Sequence, residues 1–174
     1  MVTKAKKQTT SRIDTSSKLE QASKKKAASL KLGGPAQCLA TSEFLCAKTG
    51  EVSGRVWLVT GDPLLAQRYG ATPLPKSLEK RCFNAQLGII TEKSFLNAYE
   101  TADLKDLRLL LDAIRSADAK KLYDIAGDYA PFYCPKCKKC FAPSLWSAMP
   151  VFDESFYDYT EATCWKGHTK KTFD

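Results

Sequence analysis

Four side chains near the C-terminal end have the types and spacing of metal ligands. Cys134-Pro-Lys-Cys137 sets two thiols two residues apart, where a tight turn aims both sulfurs at one ion and backbone N–H groups donate to them. Cys164-Trp-Lys-Gly-His168 supplies a second pair, and Gly167 is free to take the positive φ that returns the imidazole toward the thiolate. Three thiolates and one imidazole complete a tetrahedron, so one structural Zn2+ is the expected cofactor. Cys137-Lys-Lys-Cys140 repeats the two-residue spacing, which makes Cys140 the alternative to His168 as a ligand. The 26 residues between the two halves exceed the spacing of a finger and suit the strands and turns of a ribbon-like module. Phe152, Phe156 and Tyr157 are expected to pack a small core there. Of the seven cysteines, Cys38, Cys46 and Cys82 are scattered and read as packing residues, although Cys46-Ala-Lys-Thr-Gly50 has the shape of half a knuckle.

Catalytic arrangements find little support. The chain has one histidine, and a Ser-His-Asp or Cys-His site would compete with zinc for its imidazole. A redox dithiol needs its C-x2-C at a helix N-terminus, and no helical pattern follows Cys137. Deaminase chemistry needs a His-x-Glu motif that is absent. No glycine-rich phosphate loop occurs, and no small-molecule cofactor is indicated. Asp153, Glu154, Asp158 and Glu161 read as a solvated surface rather than an acid/base pair.

The stretch Tyr129-Ala-Pro-Phe-Tyr-Cys-Pro-Lys-Cys137, followed by Phe152-Asp, Phe156-Tyr-Asp158 and Cys164-x3-His168, resembles the end of a family of small, uncharacterised bacterial proteins with a zinc-ribbon-like C-terminus. That family's ending is similar to Cys-Pro-x-Gly-His, whereas Trp165 stands here in place of the proline. The resemblance covers about the last fifty residues, implies zinc and implies no activity.

The rest of the chain must position this site. A 174-residue chain with 44% hydrophobic residues has the composition of a globular domain with appendages. Its net charge of +8 is unevenly distributed: residues 1–34 carry nine Lys/Arg against two acids, 35–131 twelve against twelve, and 132–174 six against five. Residues 1–34, polar and Lys-rich, are expected to be a disordered basic tail. Residues 35–131 are expected to form an α+β domain, mostly helical, and residues 132–174 the zinc-ribbon-like module. The turn at Cys46–Gly50 feeds a strand at Arg55–Thr60, as part of a short N-terminal β hairpin. Asp62-Pro63 starts and Gly70 stops a helix at Pro63–Tyr69. Residues 75–127 read as mainly helical, with a short β stretch at 87–90, a helix at 117–126 stopped by Gly127, and Thr91, Thr101 and Ser116 as helix caps.

Two binding functions compete. The tail and the knuckle lysines Lys136, Lys138, Lys139, Lys166, Lys170 and Lys171, all read as exposed, suit phosphates, with Trp165 available to stack on a base of RNA or DNA. The competing use of Trp165 is packing over the metal, and the competing function is a zinc-stabilised protein-docking scaffold, suited to the nearly neutral folded part, with the helices between Pro75 and Gly127 presenting the partner site. No membrane span or secretory signal is visible, and C-x2-C spacing outside a disulfide framework suits the reducing cytoplasm.

Overall fold

The core begins with a hairpin whose strands alternate inward and outward residues. In this computed structural model, residues 35–79, 86–154 and 156–172 are described; the basic tail and Cys82 lie outside the described residues. Strand β1 (Gln37–Leu45) pairs antiparallel with β2 (Val52–Thr60), with Thr41 opposite Trp57. Three further strands complete the sheet: β3 (Thr72–Pro73) beside β1, β4 (Gly88–Glu92) beside β2, and β5 (Ala98–Thr101) outermost, in the order β3-β1-β2-β4-β5. The hairpin expected from the Cys46–Gly50 turn is thus the centre of a larger sheet.

Helix α1 (Pro63–Tyr69) starts and ends as local chemistry dictates. The Asp62 carboxylate accepts from the backbone N–H of Leu64 and Leu65, and Gly70 closes the helix at φ 63°. A single-turn helix, α2 (Lys76–Glu79), follows. Helices α3 (Leu107–Arg115) and α4 (Ala119–Ile125) cover one face of the sheet. There Leu110, Ile114 and Leu122 are buried in one cluster with Val56, Leu58 and Ile89, and the Ser42 hydroxyl donates to the Ile114 carbonyl at 2.6 Å. On the other face Cys38 packs with Val59, Leu74, Leu78 and Ile90, the packing role expected of it.

The central region is less helical than its periodicity suggests. Ile89 enters the helix-covered cluster and Ile90 the opposite one, the period-two burial of a strand covered on both faces. Thr91 therefore lies within β4 instead of capping a helix, and Thr101 ends β5; the next helical turn, Leu104–Asp106, begins after Asp103. Ser116 closes α3, its hydroxyl donating to the Asp112 carbonyl at 2.7 Å. Asp118 caps α4 by accepting from the Lys121 N–H at 3.0 Å, and Ala126, not Gly127, ends that helix.

The C-terminal part contains the two-residue strands β6 (Tyr133–Cys134) and β7 (Lys139–Cys140), which pair with each other, and a three-stranded sheet of β8 (Trp146–Asp153), β9 (Phe156–Cys164) and β10 (Thr169–Thr172), ordered β10-β9-β8. Phe152, Phe156 and Tyr157 do not form the small core expected of them. They lie at the far end of the β8–β9 hairpin, where Phe152 and Phe156 are 60% and 78% exposed, because β8 and β9 run past the body they pack on.

Phe132 joins this part to the first sheet. Its buried ring lies 4.9 Å from the Phe44 ring and occupies the space above Gly54, where an added Cβ would meet it. Gly54→Ala should therefore cost about 1–3 kcal/mol, read as a lower urea midpoint with an unchanged slope; an unchanged midpoint would show that the ring moves aside freely.

Candidate metal centre

Each half of the site is built by a short turn at a strand end. The β6–β7 hairpin carries Cys134 and Cys137 on one loop, with Lys138 at φ 55° turning the chain back. The Cys137 N–H donates to the Cys134 sulfur at 3.5 Å, as a zinc knuckle requires. The second half lies between β9 and β10. There the Gly167 N–H donates to the Cys164 carbonyl at 2.7 Å and the Cys164 N–H to the His168 carbonyl at 3.0 Å, while Gly167 takes φ 81°, the left-handed turn anticipated for it.

These turns bring Cys134, Cys137, Cys164 and His168 together with all four ligand atoms within 4.8 Å of one another. With Zn–S near 2.3 Å and Zn–N near 2.0–2.1 Å, a tetrahedron has S···S edges of about 3.8 Å and S···N edges of about 3.6 Å. Cys137 and Cys164 have sulfurs 3.9 Å apart, and the His168 Nδ1 lies 3.8 Å from the Cys134 sulfur and 3.0 Å from that of Cys137. The donors are a Cys3His set geometrically consistent with a single structural Zn2+. Bound there, the ion would neutralise thiolates and cross-link the two turns.

The thiols register their crowding. Burial, then hydrogen bonding and repulsion from Cys134 and Cys164, pushes Cys137 up to about 12. Burial also acts upward on Cys164, but the backbone N–H groups of His168 and Lys166, with the neighbouring thiols, bring it below the ordinary thiol value. A divalent cation reverses this balance by favouring the thiolates.

Cys140 stands outside the four-residue cluster. It packs at the margin of the helix-covered core, and burial, followed by the proximity of Cys46, pushes it up to about 12. Cys46 instead lines the site from the first sheet, buried with Cys134, Phe141, Ala142 and Cys164. Its sulfur accepts from the Lys48 N–H at 3.4 Å, and the Ala47 N–H donates to the Cys140 carbonyl at 3.0 Å. The half-knuckle shape of Cys46–Gly50 thus belongs to a turn that buttresses the metal site. Among the described residues the cysteines are free thiols.

The lysines divide. Lys136, Lys138, Lys139, Lys166 and Lys171 are exposed, and Lys171 lies 3.9 Å over the Tyr159 ring. Lys170, expected to be exposed with them, turns inward: its ammonium donates to the carbonyls of Tyr133 at 3.0 Å and Ala130 at 3.5 Å and sits over the rings of Tyr123 and Trp146. Burial pushes it down to about 8 against the opposing pull of Asp128 and of the thiols Cys134 and Cys140. Trp165 packs over the metal-site cluster and is also partly open to solvent. Its ring meets Phe141 edge-on at 6.2 Å, yet it remains 46% exposed. Lys48 lies 4.0 Å over that ring and Lys166 5.5 Å. Lys48 had no sequence signal of its own, since only the docking of the Cys46–Gly50 turn brings it to Trp165.

Fold and site define an α+β domain with N- and C-terminal β-sheets, central helices and a Cys3His cluster capable of holding a metal. Residues 37–174 match the family described as a domain of unknown function, DUF8328, and the chain belongs to it. No curated protein and no solved structure matches the chain. Among the described residues no helix is long and apolar enough to cross a membrane.

Two outcomes test the ligand set. Cys140→Ser should retain one zinc per chain by elemental analysis, whereas Cys137→Ser and His168→Ala should each lose most of it; zinc lost from Cys140→Ser alone would overturn the assignment. Because Cys137 holds its proton to high pH in the metal-free site, zinc must displace it. Apparent zinc affinity should therefore rise roughly tenfold or more per pH unit between about pH 6 and 9, measured by competition with a chromophoric chelator; a flat profile would contradict this.

Proposed function

We propose that the chain is a non-catalytic structural-zinc protein that binds nucleic acid through the lysines around its metal-held knuckles. The single observation that carries the reading is Trp165, half exposed on the second knuckle with the ammonium groups of Lys48 and Lys166 over its ring. Exchange of these cations from the ring to phosphates would free the aromatic face to stack on a base. Lys136, Lys138 and Lys139 extend from the first knuckle, which the four-ligand cluster holds beside the second. Lys170 is left out of the contact surface, because its ammonium is already held by two backbone carbonyls.

In this function residues 132–174 act as a zinc-ribbon-like module, residues 35–131 as the α+β scaffold that buttresses it, and residues 1–34 as a basic arm adding nonspecific phosphate contacts. Four protein donors leave no position for a water nucleophile, the arrangement of a structural rather than a hydrolytic zinc. Free thiols around such a site favour the cytoplasm.

The test is binding of the full chain, of residues 35–174 and of the zinc-depleted protein to RNA and DNA across a salt series. Binding should persist without the arm, fall on zinc depletion, and weaken about tenfold or more in a Trp165→Ala/Lys166→Ala variant. Binding that vanishes with the arm and ignores zinc would sink the proposal.

A further inference from the structure

The β8–β9 hairpin carries a surface that nucleic-acid binding does not use. Near its base the sheet turns one face inward: Thr160, Ala162 and Cys164 of β9 are buried, and Trp146 packs against the metal-site cluster. The same face stays apolar beyond the end of that packing. In register and alternation it continues through Ala148, Pro150, Phe152 and Tyr157, all exposed, with the Phe152 and Tyr157 rings meeting edge-on at 6.2 Å. Tyr157 is fixed on this side by the hydrogen bond between its hydroxyl and that of Thr160, 3.0 Å. Phe156, 78% exposed, pairs with Asp153 and by the same alternation lies on the opposite face of the hairpin end. Exposed apolar area concentrated on one projecting element is the signature of an interaction surface.

The charge around it selects the partner. Between Trp146 and Cys164 the chain has four carboxylates, Asp153, Glu154, Asp158 and Glu161, and no Lys or Arg, although the whole chain carries +8. Lys171 lies opposite Glu161 in register, so among the described residues the acids without a cation across the strands are Asp153, Glu154 and Asp158 at the hairpin end. Such an end repels phosphates. It also disfavours a second copy of itself, since a two-fold contact would set like charges together. Pro150 and the irregularity beside Val151 blunt the β8 edge against strand addition.

We propose that the end of the β8–β9 hairpin is a docking surface for a protein segment that alternates basic and apolar residues, its apolar side chains covering Phe152 and Tyr157 and its cations meeting Asp153, Glu154 and Asp158. This inference does not depend on nucleic-acid binding, because hairpin and knuckle lysines are separate surfaces of opposite charge.

The test uses the full-length zinc-loaded protein and a fluorescent peptide of alternating lysine and leucine, with a glutamate–leucine peptide as control. The lysine peptide should bind and the control should not. Phe152→Ser/Tyr157→Ser should weaken binding about tenfold or more. Asp153→Asn/Glu154→Gln/Asp158→Asn should weaken it comparably and flatten its salt dependence. Both variants should keep one zinc per chain and wild-type affinity for RNA and DNA. Equal binding of the two peptides, or wild-type affinity in both variants, would overturn the proposal. So would a dimer in sedimentation that Phe152→Ser dissociates, which would make a second copy the occupant, or a parallel loss of nucleic-acid affinity, which would place the hairpin in that surface.

Discussion

Convergence of three sulfurs and one imidazole on a volume the size of one ion is the constraint on which the C-terminal half depends. Without a cation the site does not hold three thiolates: burial, followed by its neighbours Cys134 and Cys164, pushes the Cys137 thiol up to about 12. Short backbone hydrogen bonds nevertheless hold the two turns in the geometry that zinc requires. A structural zinc contributes on the order of 10 kcal/mol or more to folding in isolated metal-binding peptides, comparable with the net stability of a whole domain. The strands between the turns thus have their ends fixed by chemistry that the hydrophobic effect alone would not supply.

The site is also a joint. Cys46 and Ala47 reach it from the first hairpin, one through burial beside Cys134 and Cys164 and the other through the Cys140 carbonyl. Phe132, two residues before the first ligand, fills the space over Gly54. Lys170, two residues after the last, spends its donors on the carbonyls of Tyr133 and Ala130. The turn that seals the metal site also delivers Lys48 to Trp165, so the arrangement that stabilises the centre assembles the surface offered for binding.

What was legible in the sequence was local chemistry. The metal ligands, the Asp62 cap and the Gly70 stop each depend on residues a few positions apart, and the structure places all of them as their spacing implies. Tertiary burial was not legible. The short β stretch expected at 87–90 is strand β4, but its burial on both faces was not readable, because the second layer at Leu74 and Leu78 comes from elsewhere in the chain. Lys170 has the same side chain as its exposed neighbour Lys171; its difference comes from which face of β10 meets the body. Phe152 and Phe156 have the composition of a core, and only the length by which the hairpin exceeds its support leaves them in solvent.

The claim that the metal centre joins the two sheets is tested most directly by amide hydrogen exchange of the full chain with and without a zinc chelator. If the account holds, the N–H groups of Ala47, Cys164 and Trp165, bonded respectively to the carbonyls of Cys140, His168 and Leu145, lose protection together on chelation, while those of the β2–β4 ladder around Leu58 and Ile89 keep theirs. Unchanged protection at Ala47 while Cys164 and Trp165 open would show that the first hairpin docks without the metal, and would contradict it.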